Sequence, residues 1–150
     1  NADLSDVAKK VMRGKTMNAG QICLAPDYLM LPKGKSEEFA KASNEAISEM
    51  FADLKYNEDY TSVINERHYE RINELVSDAK EKGAEVIQIN PADEDFEQQE
   101  LHKIPPTLVL NPTDEMKIMQ EEIFGPVLPV KEYDDFDETV NYVNSKDRPL

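Results

Sequence analysis

Cys23 is the single cysteine among 150 residues, and it stands in Met17-Asn18-Ala19-Gly20-Gln21-Ile22-Cys23-Leu24-Ala25-Pro26-Asp27-Tyr28. One thiol cannot form an internal disulfide and cannot complete a zinc site alone, so any chemistry it has is that of a nucleophile. The setting suits that part. Gly20 permits a sharp turn and close approach of a substrate, the neighbours are small, and Pro26 opens an extended segment. The opposing reading makes Cys23 a small buried hydrophobe, the usual state of a free cysteine. The two histidines, His68 and His102, join no cluster with metal-ligand spacing, and no metal is expected.

Elements that would carry this segment alternate along the chain. Leu4, Val7, Ala8, Val11 and Met12 form a helical stripe over 3–13, with Asp3 placed to cap it. Tyr28-Leu29-Met30-Leu31 reads as a strand stopped by Pro32-Lys33-Gly34. Ser36 is placed to cap a second helix reaching Phe51, with Glu37 and Glu38 favourable in its first turn. A polar loop over 55–62 follows. Asn65 opens a third helix with the stripe His68, Tyr69, Ile72, Leu75, Val76 and Ala79, closed by Lys80, Lys82 and Gly83.

Residues 85–89 and 106–110 read as strands, and the acidic, aperiodic stretch 92–100 between them as a plain surface loop. A helical turn is expected over 115–119. Val127 to Tyr133 reads as extended, with Pro129 suiting an edge strand or a strand start. A last helix begins at Asp134 or Asp135 and runs through Val140 and Val143 to near Lys146. Strands separated by helices imply one α/β domain, with a mostly parallel sheet and helices packed on it in three layers.

Composition sets the outer bounds. Apolar residues make up 39% of the chain, enough for a core at this length, and the net charge is −14. That charge repels nucleic acid and anionic membrane surfaces, so neither is expected as a partner. No apolar run is long enough to span a bilayer and no signal peptide opens the chain. A single cysteine gives no disulfide framework and favours a reducing cytoplasm.

Asn18-Ala19-Gly20-Gln21-Ile22-Cys23 resembles the nucleophile motif of the aldehyde dehydrogenase superfamily. Ala25-Pro26-Asp27-Tyr28 after it is similar to the class-3-like branch, which includes coniferyl aldehyde dehydrogenases. A second block, Gln120-Glu121-Glu122-Ile123-Phe124-Gly125-Pro126-Val127-Leu128-Pro129-Val130, resembles the family's Glu-Glu-Ile-Phe-Gly-Pro signature. The resemblance runs from about Ala2 to Leu150. It implies an NAD- or NADP-dependent oxidation of an aldehyde, bulky and apolar or aromatic, through a thiohemiacetal and a thioester on Cys23. The Cys23 N–H would give half of an oxyanion hole. It assigns Glu122 to the hydroxyls of the nicotinamide ribose and Phe124 to the side of the nicotinamide ring, and makes His68 a cofactor-facing candidate.

Without the motif, Glu122 reads as a surface acid and Phe124 as a core plug. Their spacing by two places both on one side of an extended loop. Asn18 is read as stabilising its turn, and His102 as simply exposed. The family's general base, its second oxyanion donor, its dinucleotide-binding half and its C-terminal segment would all lie outside this sequence. The 150 residues thus read as the cysteine-bearing catalytic domain of a longer homodimeric enzyme, with little turnover of their own. Two alternatives stay open: an acyl-cysteine reductase of the same superfamily, and a non-catalytic acidic α/β interaction domain.

Overall fold

The chain enters its first helix where a carboxylate can satisfy the free N–H groups of the opening turn. Asp3 accepts the Asp6 N–H at 3.1 Å, and α1 runs Leu4–Thr16. The computed structural model describes residues 2–97 and 100–147. Ala8 and Met12 bury one face of α1, and the helix extends past Arg13 because Lys15 and Thr16 are buried too. The later elements are strand β1 (Leu29–Pro32), α2 (Ser36–Met50), α3 (Glu66–Glu81), β2 (Glu85–Gln88), β3 (Thr107–Leu110), β4 (Val127–Tyr133) and α4 (Phe136–Asn144). A short 3-10 turn at Lys117–Met119 takes the place of the helical turn expected over 115–119.

The sheet order is β1-β4-β3-β2, with β1–β4 and β3–β4 parallel and β2–β3 antiparallel. Alternate residues serve opposite faces. Leu108, Leu110, Leu128 and Val130 meet Met12, Phe39 and Ile47 of α1 and α2. Val109 and Val127 meet Ile72, Leu75 and Ala79 of α3. Burying an Ile or Leu side chain of that face stabilises by roughly 1.5–3 kcal/mol. The result is the three-layer, mostly parallel α/β arrangement expected from the alternation of elements.

Four local expectations need correction. β4 is an interior strand, not an edge. The Thr107 N–H donates to Pro126 O and the Asn111 N–H to Val130 O, so even-numbered positions of β4 direct their backbone groups toward β3. Pro129 therefore faces the β1 side, one position ahead of the first paired residues, Leu29 and Val130, and its missing N–H breaks no bond with β1. Ser36 is the first helical residue of α2 rather than its cap. The Glu132 carboxylate from β4 supplies the acceptor, taking the Ser36 N–H at 3.1 Å. The N–H groups at that end, Gly34 first, hold the Glu132 carboxyl below its usual range.

Nor is the acidic stretch a plain surface loop. Glu94 accepts the Leu54 and Lys55 N–H groups at 2.6 and 3.0 Å, and Phe96 packs on the core. Positions 98 and 99 of that stretch lie outside the described residues. His102, read as simply exposed, is half-buried. Its Nε2 lies 2.6 Å from Glu66 Oε2, and its ring sits beside Tyr69.

α4 is set apart from the other helices. Asp135 caps it, yet it buries no residue, and Phe136, Val140 and Val143 stay exposed.

Losing a helix-capping acceptor costs about 1 kcal/mol. Glu132→Ala therefore lowers the urea-unfolding free energy by about that amount and speeds hydrogen exchange in the first turn of α2, while exchange in β3 stays unchanged.

Candidate active site

Past α1, three successive residues take the left-handed conformation: Asn18, Ala19 and Gly20, with φ of 51°, 51° and 71°. Outside glycine that region costs roughly 1–2 kcal/mol per residue, so the reversal persists only because its surroundings hold it. Gln21 is the first holder. Its side-chain amide donates to Asn18 O and Ser62 O, each at 3.0 Å, and its carbonyl accepts the Ile64 N–H at 2.9 Å. The Asn18 side chain returns a bond to Gln21 O at 3.2 Å, the turn-stabilising part read from its sequence position. The Ala25 N–H donates to Ile22 O at 3.1 Å, which closes a tight turn with Cys23 near its tip. Cys23 is exposed, so it is not a buried hydrophobe.

The second motif sits directly against this turn. A Cβ on Gly20 would collide with the Gly125 carbonyl, and one on Gly125 would fall 2.5 Å from Ile72 Cδ1 of α3. Two glycines in backbone contact thus join the two motifs and seat both on α3. Ile123 is fully buried, with Glu122 and Phe124 projecting outward on either side of it. Two side chains hold this loop. Asp27 accepts the Ile123 N–H at 3.1 Å, and Arg71 of α3 donates to the carbonyls of Glu122, at 3.4 Å, and of Ile123. Arg71 also lies 3.6 Å from Glu121.

The projecting residues do not share one opening. Cys23 and Glu122 line a cleft of about 620 Å³, together with Asp27, Tyr28, Met119 and Tyr142. Phe124 and His68 line a second one of about 380 Å³, with Asn18, Gln21, Ser62 and Ile64. Phe124 has a φ of 50°, a left-handed step that breaks the extended alternation and turns its ring away from the cleft of Glu122. The expected placement of both residues on one side of an extended loop therefore does not hold: both project outward, but they line different clefts. Gln21 borders the second cleft one residue before the turn that carries Cys23.

The Aldehyde dehydrogenase family model matches residues 1–150. The chain belongs to the aldehyde dehydrogenase family. It is 60% identical over 149 residues to a probable coniferyl aldehyde dehydrogenase of Caulobacter vibrioides, covering 99% of this chain and 31% of that protein. It is 49% identical over 150 residues to the coniferyl aldehyde dehydrogenase of a Pseudomonas species, covering 100% of this chain and 31% of that protein. The crystal structure of NADP-dependent glyceraldehyde-3-phosphate dehydrogenase from Bacillus halodurans, complexed with NADP, superimposes with a TM-score of 0.80 at 26% identity, covering 98% of this chain and 30% of that one. The chain spans about a third of the length of the curated relatives it matches.

This aldehyde dehydrogenase chain carries site residues that sequence motifs did not single out. Lys15 is 1% exposed and donates from Nζ to Pro26 O at 2.8 Å. Burial pushes its ammonium down to about 8, against the pull of Asp27 and Glu122 in the other direction. Its position three residues after Met12 on the buried face of α1 is the one signal that could have found it. Arg71 acts on the second motif from a distant part of the chain, and nothing local in the sequence marks it; Asp27 stands in the Ala25-Pro26-Asp27-Tyr28 motif, but its bond to Ile123 is not legible there.

At the rim of the larger cleft, Asp114 accepts from Tyr142 Oη at 2.7 Å, Lys146 Nζ at 2.9 Å and Lys131 Nζ at 3.1 Å. Burial opposes the Asp114 charge, but these three donors outweigh it and hold the carboxyl at about 2. The Tyr142 ring lies edge-on to Tyr28 at 5.9 Å, with both lysines 4.8 Å from its centroid. This node ties α4 to the cleft wall. Among the described residues no helix is long and apolar enough to cross a membrane, and no group of three or more His, Cys, Asp or Glu side chains could hold a metal ion.

Two outcomes test this packing. Gly20→Ala adds a methyl group against a backbone carbonyl in a left-handed position, and thermal unfolding registers a loss of at least about 2 kcal/mol. Gly83→Ala, whose Cβ meets nothing within 4 Å, bears only the cost of its left-handed φ, about 1 kcal/mol. Lys15→Met goes the other way. A lysine held at about 8 rather than 10.5 binds its proton less tightly in the fold than in the unfolded chain. It therefore costs stability on the order of 3 kcal/mol below pH 8, a cost that fades as pH rises toward 10.5. After a loss of about 1 kcal/mol for the Pro26 hydrogen bond, Lys15→Met is more stable than the parent by about 2 kcal/mol at pH 7, and the gain shrinks by pH 10.

Proposed function

We propose that this chain is the cysteine-bearing catalytic part of a longer NAD(P)-dependent aldehyde dehydrogenase, and that Cys23 is its nucleophile. The observation that carries this reading is an exposed thiol and the Glu122 side chain lining one cleft, with Phe124 in the cleft next to it. The substrate class is a bulky apolar or aromatic aldehyde, with coniferyl aldehyde the first to try. Identity to coniferyl aldehyde dehydrogenases over the whole chain supports that choice. The Tyr28–Tyr142 pair and Met119 give the cleft apolar walls of the matching kind. The whole enzyme is a cytoplasmic homodimer in this reading, which here rests on the family resemblance.

In this reading the Cys23 thiolate adds to the aldehyde carbon and makes it tetrahedral. The Cys23 N–H donates to the developing oxyanion, a contribution of roughly 3–4 kcal/mol for one well-placed donor. A bound dinucleotide would supply the acceptor for the hydride lost from the tetrahedral carbon. Cys23 is left holding a thioester, and water hydrolyses it to the carboxylic acid and the free thiol. The residues present fit such a cofactor. The Phe124 ring gives a flat apolar wall, and Asn18, Gln21 and Ser62 give amide and hydroxyl groups around it. Glu122, at the neighbouring cleft, offers a carboxylate to two ribose hydroxyls. His68, in the first turn of α3, lines the same cleft as Phe124, where it can contact the cofactor.

The test uses the full-length protein with coniferyl aldehyde and NAD or NADP, following absorbance of the reduced cofactor. Cys23→Ser lowers kcat by about a thousandfold or more with the fold intact, as loss of a nucleophile does. Glu122→Gln raises KM for the cofactor about tenfold, the loss of one charge-assisted hydrogen bond. Turnover unaffected by Cys23→Ser would overturn the assignment.

A further inference from the structure

The turn that carries Cys23 is a short bridge between two anchored points. Its near end is Gln21, whose side chain makes three hydrogen bonds to backbone groups of residues 18, 62 and 64. Its far end is Pro26, which has no N–H, so its carbonyl is the backbone group by which it can be held. Lys15 holds it, at 2.8 Å, from the last turn of α1. Pro26 also packs its ring on Gly14, where an added Cβ would lie 3.4 Å from Pro26 Cδ.

We propose that Lys15 is a positioning residue of the active site: its buried ammonium fixes the Pro26 carbonyl and thereby sets the Cys23 turn relative to the Glu122 loop. The coupling to that loop is one residue away, because Asp27 accepts the Ile123 N–H beside Glu122. A shift at Pro26 is therefore felt at the thiol on one side and at the ribose-binding carboxylate on the other. Misplacement of reacting groups by about 1 Å costs on the order of a hundredfold in rate, so a small displacement suffices.

The charged groups that act on Lys15 are Asp27, on the segment it holds, and Glu122, on the neighbouring loop. Both favour its charge, while burial opposes it and wins. Lys15 thus works against stability while tightening the site. This separates it from a residue that merely holds the fold together, whose removal would weaken both.

The proposal rests on the dehydrogenase reading for its kinetic arm and on geometry alone for its structural arm. Both are measured on the full-length protein, comparing the parent with Lys15→Met and Lys15→Arg. With Lys15→Met we expect kcat for coniferyl aldehyde about tenfold lower, KM within about twofold, a melting temperature no lower than the parent's, and hydrogen exchange about tenfold faster in the segments 24–28 and 121–124. The parent loses kcat as pH rises through about 8, and Lys15→Arg, whose guanidinium stays charged, moves that alkaline limb upward by at least about one pH unit.

Exchange and kcat both within twofold of the parent for Lys15→Met would overturn the proposal, as would an alkaline limb that Lys15→Arg leaves in place. If the parent oxidises no aldehyde at all, the dehydrogenase reading fails, and exchange in the two segments alone decides the role of Lys15. If Lys15→Met does not fold, the stabilising effect expected of it is wrong and the proposal falls with it.

Discussion

Everything that brings chemistry together in this molecule passes through the contact between Gly20 and Gly125. An added Cβ at Gly20 would fall 2.2 Å from the Gly125 carbonyl oxygen, so the backbone of the second loop leaves no room for a side chain there, and the Ile72 side chain of α3 lies against Gly125. Close packing makes such a contact unforgiving, because a filled interior yields little before side chains leave their rotamers. With the two loops locked back to back, the residues next to each glycine have few places to go. Cys23 and Glu122 fall into one cleft, and Phe124 and His68 into its neighbour.

The sheet explains why those loops can be so irregular. β1 and β4 run parallel, and both loops arrive at that strand pair from the same end, with Tyr28 leading into β1 and Pro126 into β4. Loops at strand ends are free to take the shape that chemistry needs, because the strands themselves carry the stability. Left-handed Asn18, Ala19 and Phe124 are the local cost of that shape. Side chains from elsewhere in the chain offset it: Gln21 to residues 62 and 64, Asp27 to Ile123, Arg71 to the carbonyls of the second motif, and Lys15 to Pro26. All but one of these bonds join segments more than forty residues apart, and none belongs to a regular element.

That division also explains how far the sequence can be read. Periodic apolar residues place all four helices within a few positions, and Asp3, Asn65 and Asp135 act as the caps their types suggest. Two motifs name Cys23, Glu122 and Phe124 as the residues to examine. Local pattern fails where a distant partner supplies what the local residue lacks. Ser36 reads as a cap, but Glu132 from another strand takes the position. Pro129 reads as suiting an edge strand or a strand start; β4 is interior, and it is the pairing with β1 that starts one residue later, which local sequence does not show. His102 pairs with Glu66 across 36 positions, a contact that composition cannot reveal. Lys15 carries the same lesson at the site: the helix read from the sequence stops at position 13, and the Pro26 carbonyl that partners this buried lysine lies eleven positions further on.

The most direct test of the account is to catch the thiol in the act. The full-length protein, mixed with coniferyl aldehyde and oxidised cofactor and quenched in acid during turnover, is digested and its peptides weighed. A peptide containing Cys23 is expected heavier by one acyl group, formed when the cofactor is present and missing when it is withheld. Turnover that proceeds with Cys23 unmodified throughout, or with the acyl group on another residue, would contradict it.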